Sequence, residues 1–241
     1  PRGELIIAAP RTQQTSRSRS RSHMETDRKF SRHVVSHRSS EWDAFAVDAS
    51  PAVTVDLALH SLVDRIPALV VSGINYGENV GTSVSVSGTI GAALEAAEHG
   101  ISSLAVSLEI HSEDYHSYDQ GLDFSAAIHF IKILAGRMLE LNLPFDVDVL
   151  KLEVPAGATP DTDWCVTRQD RIPYYAVDVR EPGDEEQGAV MGHRPRKGEY
   201  TGVGTDAYAL AQGMVSITPL SLDMTSRVEL DKLEKILTRK R

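Results

Sequence analysis

Short apolar runs alternate with amphipathic stretches along most of this chain. Glu4 to Pro10 (ELIIAAP) is an apolar run closed by proline, which predicts a strand buried on both faces. The polar stretch that follows, RTQQTSRSRSRSHMETDRKFSRHVVSHRSSE, has no helical period and reads as a loop with room for one hairpin arm. WDAFAVD then alternates like a strand, and Ser50 and Pro51 supply the cap and first-turn proline of a helix, PAVTVDLALHSLVD. ALVVSG (68–73) is the next buried strand. It opens a long polar loop, and GTIGAALEAAEHG after the loop reads as a helix stopped by Gly100.

SLAVSLE predicts a strand, GLDFSAAIHFIKILAGRMLELN a long amphipathic helix, and DVDVLKLEVP an alternating strand ending at Pro155. Strands alternating with helices predict an α/β fold, a mostly parallel sheet covered on both faces. From about residue 156 the chain turns polar and turn-rich. We read 1–155 as a Rossmann-like three-layer core and 156–241 as an extension suited to oligomerisation. The extension holds a β-hairpin excursion, a returning strand (MVSITPL) and a closing helix (RVELDKLEKIL).

Composition narrows the class. With 41% hydrophobic residues, the 241-residue chain has enough apolar material for a core. Its net charge of -9 disfavours nucleic acid and anionic membranes as partners, so any phosphate binding must be local. The one cysteine, Cys165, rules out an internal disulfide and fits a reducing compartment. No apolar run reaches about 18 residues and no signal peptide is visible, so the expectation is a cytoplasmic protein without membrane contact.

The loop within SGINYGENVGTSVSVSGTIGAALEAAEHG (72–100) leaves the carboxyl end of a predicted strand, where open α/β sheets bind ligands. Its glycines allow close backbone approach, and Asn75 and Asn79 offer neutral amides. Ser87, Gly88 and Thr89 fall at a helix start, where free N–H groups and the dipole favour an anion. Ser87 as a plain helix cap, with glycines as plain turn residues, accounts for the same letters. No lysine follows the glycines, so the nucleoside-triphosphate loop pattern is absent.

The 70–107 block, VVSGINYGENVGTSVSVSGTIGAALEAAEHGISSLAVS, resembles the signature of the SurE family of survival nucleotidases. LIIAAPRTQQTS, SPAVTVDLAL and GTDAYALAQGMVSITPLSLDMT are similar to three further blocks of that family. The resemblance implies a divalent-metal-dependent phosphatase of nucleoside 5'- or 3'-monophosphates, using Mg2+ or Mn2+, and a homodimer or homotetramer. It places metal ligands at Asn75 and at Thr15, where the family usually carries serine. It places phosphate contacts at Asn79, Ser87, Gly88 and Thr89. The family's ligand set also includes a consecutive Asp pair from an Asp-Asp-Gly strand. This chain has no Asp-Asp pair, so its catalytic residues are unassigned. The expectation is a chain entered partway through its fold, with Asp27, Asp43 and Asp48 as the nearby carboxylates. A non-catalytic, nucleotide-binding or oligomeric homologue is the alternative.

Other features stay open. SRSRSRS (16–22) reads as a solvated loop, a basic flap over the phosphate site, or an RNA-binding or phosphorylated segment. HSEDYH (111–116) reads as a solvated loop with metal-capable letters, DEEQ (184–187) as a turn, and Cys165 as a packing residue. Arg168 and Arg171 are either substrate-facing or on a strand surface.

Overall fold

A computed structural model of the chain describes residues 4–21, 29–110, 122–180 and 190–239. In chain order its elements are β1 (Ile7–Pro10), β2 (Phe30–His37), β3 (Ser40–Val47), α1 (Pro51–Ser61), β4 (Val70–Tyr76) and α2 (Gly88–Glu98). They continue as β5 (Ser103–Leu108), α3 (Ser125–Glu140), β6 (Val149–Val154), β7 (Trp164–Val166), β8 (Tyr175–Arg180) and β9 (Val190–Pro195). Last come α4 (Asp206–Ala211), β10 (Val215–Leu220) and α5 (Leu230–Leu237). His111 to His116, Asp184 to Gln187 and Asp27 lie outside the described residues.

The local signals act where the sequence puts them. Ser50 Oγ accepts from the Val53 N–H at 3.4 Å, and Pro51 opens α1. Ser87 caps α2 in the same way, and Gly100, at φ +75°, donates to the Ala97 carbonyl and ends it.

The main sheet runs β4-β5-β6-β10-β7. β4, β5 and β6 are parallel, while β10 is antiparallel to β6 and parallel to β7. α3 packs its apolar side on β5, β6 and β10 through Phe130, Leu134 and Met138. α2 covers the opposite face with Ile90, Ala93 and Ala97. This is the expected three-layer α/β core, and the returning strand β10 and short β7 complete its sheet. β1, β3 and β2 form a separate three-stranded sheet, joined to the rest through α1, which packs on both β1 and α2.

β1 and β4 are not buried on both faces, contrary to their apolar runs. Each is the edge strand of its sheet among the described residues; Ala9 of β1 is exposed and Val71 of β4 stays 42% exposed. An edge strand lacks the flanking neighbour whose helices would cover it. The segment read as loop with one hairpin arm supplies β2, paired antiparallel with β3.

Candidate functional site

The site grows from the end of β4. Its pairing with β5 shifts register between Ser72 and Asn75, a bulge that re-aims the strand end. Gly73 makes the bulge possible: its φ is +122°, and a Cβ there would lie 2.4 Å from the Val106 carbonyl oxygen. Asn75 therefore sits in the strand rather than in the loop. Its Nδ2 donates to the Gly77 carbonyl at 2.8 Å, which fixes the amide and leaves Oδ1 to accept from the Thr89 hydroxyl at 3.2 Å.

After a 3-10 turn at Gly81–Val86, α2 begins beside Asn75. Ser87 Oγ accepts from Ile90 N–H at 3.3 Å, and the first helical backbone bond runs from Gly91 N–H to the Ser87 carbonyl. The Gly88 and Thr89 N–H groups precede that bond, so they are left for an outside acceptor. Ser87 is nearly buried, but a hydroxyl that accepts a bond keeps its proton to donate.

The 11–21 loop lies across this helix start. Gln14 carbonyl oxygen would be 3.1 Å from a Cβ on Gly88, and Ser18 carbonyl carbon 2.4 Å from one on Gly91. Ser18 donates through its N–H to Val86 O at 3.1 Å and through Oγ to Ser85 O at 2.9 Å. Exposed Thr15 thus stands between two crossing points over the α2 N-terminus. Of the flap arginines, Arg19 pairs with Glu95 and Glu98, and Arg21 with Glu95. Those two anchor the loop to α2. Arg17 is exposed, and its side chain has no partner among the described residues.

Thr15 and Asn75 bring neutral oxygens only, and Asn75 Oδ1 is shared with Thr89. On their own they do not make a site for a divalent cation, whose affinity follows ligand charge and count. Among the described residues one group has ligand atoms close enough to share an ion, Asp56, Glu95 and His99, all within 4.8 Å. Its carboxylates are already met by Arg19, Arg21 and the His99 ring, so positive charge occupies that place. Asp43 is tied to Arg32 by two bonds of 2.8 Å, and Asp48 is exposed after β3.

Asn79 is nearly buried, and its Nδ2 donates to Ser107 Oγ on β5 at 2.9 Å. Its peptide rests on a charged network that the sequence reading missed. Glu153 Oε2 accepts its N–H at 3.0 Å, and Lys151 Nζ donates to its carbonyl at 3.0 Å. Lys151 also donates to Asp206 Oδ2 at 3.0 Å, which in turn accepts from Gly81 N–H at 3.2 Å. All three charged side chains are fully buried. Burial pushes the Glu153 carboxyl up to about 7, opposed by Lys151 and reinforced by Asp206 and Glu78. Burial acts the same way on Asp170, but hydrogen bonds from Thr201 and Thr205 outweigh it and hold that carboxyl low.

The available signal was LKLEV, two opposite charges two apart in a strand flanked by buried apolar residues. Alternation alone does not say what the polar side of this strand meets; α2 and α4 cover it.

Cys165 is half-buried and free, and burial pushes its thiol up, which disfavours the thiolate. Arg168 and Arg171 are exposed, and Arg168 uses its backbone to bridge to Thr205.

Comparison with known proteins gives a consistent result. The family described as Survival protein SurE matches residues 2–175. The 5'-nucleotidase SurE of Thermococcus kodakarensis is 38% identical over 241 residues, covering 98% of this chain and 88% of that protein. The 5'-nucleotidase SurE of Archaeoglobus fulgidus is 39% identical over 235 residues, covering 96% and 86%. The crystal structure of the SurE protein from Aquifex aeolicus superposes with a TM-score of 0.73 at 25% identity, covering 99% and 90%.

Proposed function

This chain belongs to the SurE family, and on that premise we propose that it is a phosphomonoesterase hydrolysing nucleoside monophosphates. The observation that carries the reading is the match to proteins named 5'-nucleotidase over nearly the whole chain. The polar start of α2 supports it. The Gly88 and Thr89 N–H groups, the Ser87 hydroxyl and the positive end of α2 form a cradle for the phosphate oxygens. Asn75 accepts the Thr89 hydroxyl proton and so ties the first turn of α2 to the end of β4, and Thr15 closes the cradle from above.

A divalent ion, Mg2+ or Mn2+, is the cofactor we assign from the family. Thr15 and Asn75 alone do not fit it, so no catalytic step is assigned to it. We also read the protein as a cytoplasmic homo-oligomer, dimer or tetramer. None of the α5 residues is buried, and Leu230, Ile236 and Leu237 are each more than half exposed, a face that a second copy would cover. No described helix is long and apolar enough to cross a membrane.

The test is phosphate release from AMP across a Mn2+ titration with a chelator control. Metal-dependent, chelator-reversible turnover is expected. A folded sample with no turnover at any metal concentration overturns the enzymatic reading.

A further inference from the structure

Residues 77–82 are a segment that should not hold still by itself. Gly77 and Gly81 both have positive φ, and glycine carries the largest backbone entropy to be lost on ordering. The segment nevertheless sits on the most expensive material in the protein. Lys151, Glu153 and Asp206 are wholly removed from water, and Glu78 is 1% exposed. Burying charges this way costs more than an apolar filling of the same volume.

Their hydrogen bonds converge on one stretch of backbone. Glu153 holds the Asn79 N–H, Lys151 the Asn79 carbonyl, and Asp206 the Gly81 N–H. Gln169 Nε2 adds a bond to the Gly81 carbonyl at 3.0 Å. On β6, Leu152 and Val154 join the α3 side of the core, so Lys151 and Glu153 project together to the α2 face.

We propose that Lys151 and Glu153 are positioning residues for the phosphate cradle: they hold the Asn79 carbonyl and N–H so that residues 77–82, tied to Asn75 through the Gly77 carbonyl and running into the Gly81–Val86 turn before Ser87, keep their shape when the anion docks. This rests on the nucleotidase reading of the cradle. The two grips differ in kind. Lys151 divides its ammonium between the Asn79 carbonyl and Asp206 and stands 3.6 Å from Glu153 Oε1. That oxygen accepts no hydrogen bond among the described residues. The groups facing Glu153 are Lys151 beside it on β6, Asp206 from α4 and Glu78 from the segment itself. Burial, reinforced by Asp206 and Glu78, lets Glu153 take up a proton near neutral pH. The grip on Asn79 is tightest when it is ionised, because a charged acceptor makes the stronger bond.

Two measurements test this. The chain has three asparagines, Asn75, Asn79 and Asn142, so 15N-asparagine labelling gives a readable amide spectrum. The Asn79 amide should titrate with a midpoint near the Glu153 value of about 7, and Glu153→Gln should abolish that titration. Calorimetry with AMP should then show Glu153→Leu weakened about tenfold, and Glu153→Gln, which keeps an oxygen for the Asn79 N–H, within about threefold of the parent.

An Asn79 amide that ignores pH, or a folded Glu153→Leu protein that binds AMP like the parent, overturns the proposal. If Glu153→Leu does not fold, the amide titration and the Glu153→Gln affinity decide alone. A parent protein that binds no AMP overturns the cradle reading, and the positioning role falls with it.

Discussion

Gly91 has no room for a methyl group, since the added Cβ would meet Ser18 backbone carbon at 2.4 Å and Arg19 N at 3.0 Å. Gly91→Ala should therefore push the 14–19 loop off α2 and cost roughly 1–3 kcal/mol, seen as a lower Tm together with weaker AMP binding. Gly136 in α3 has nothing within 4 Å of the same position. Gly136→Ala should stabilise by roughly 0.5–1 kcal/mol and leave AMP affinity alone, which separates a packing effect from a helix-propensity effect.

Glu153 makes a second claim at this scale. Its carboxyl is pushed up to about 7 by burial, so the folded chain keeps a proton that the unfolded chain sheds from the ordinary value of 4.5 upward. Stability must then fall as pH rises through that window, by on the order of a few kcal/mol. Thermal unfolding of the parent and of Glu153→Gln at pH values either side of the window should show a flatter profile for the variant.

The loop before β2 is held to α2 chiefly by two arginines on Glu95, which is fully buried. Charge-assisted bonds of this kind contribute roughly 1.5–3 kcal/mol each. Glu95→Ala should free the loop without unfolding the sheet. Limited trypsin digestion, followed by mass spectrometry, should show faster cleavage after Arg17, Arg19 and Arg21. Unchanged cleavage rates would mean that the Ser18 bonds to Ser85 and Val86 suffice to hold the loop. The alternate spacing of Arg17, Arg19 and Arg21 thus serves two ends, with two residues as anchors and Arg17 left facing solvent.

At the scale of the molecule, two sheets share one layer of helices, and the last helix stands apart from both. α5 has a pronounced apolar stripe yet buries none of its residues. Isolated helices of this length are marginal in water, and the proposed oligomer would supply a covering surface. Leu233→Asp combined with Ile236→Asp should shift the light-scattering mass toward the 26.3 kDa of one chain, with the thermal transition of the core retained. A parent protein already at that mass would contradict the oligomer.

The sequence by itself determined the order of elements, the helix starts and the family. These depend on signals within a few residues: Ser50 with Pro51, Ser87 with Gly88, Gly100 after α2, and the 70–107 block. Asn75, Thr89 and Thr15 were named there as site residues, and the fold brings Asn75 and Thr89 into contact. Tertiary structure decided what no local pattern holds. An apolar run cannot say whether its strand has a neighbour on each side, so β1 and β4 looked fully buried and are edges among the described residues. Alternation in LKLEV cannot say whether the polar face meets water or a helix, so nothing local marked Lys151 and Glu153 as buried. Their partners, Asn79 and Asp206, lie 72 and 55 residues away, and only folding brings such distant groups within hydrogen-bond reach.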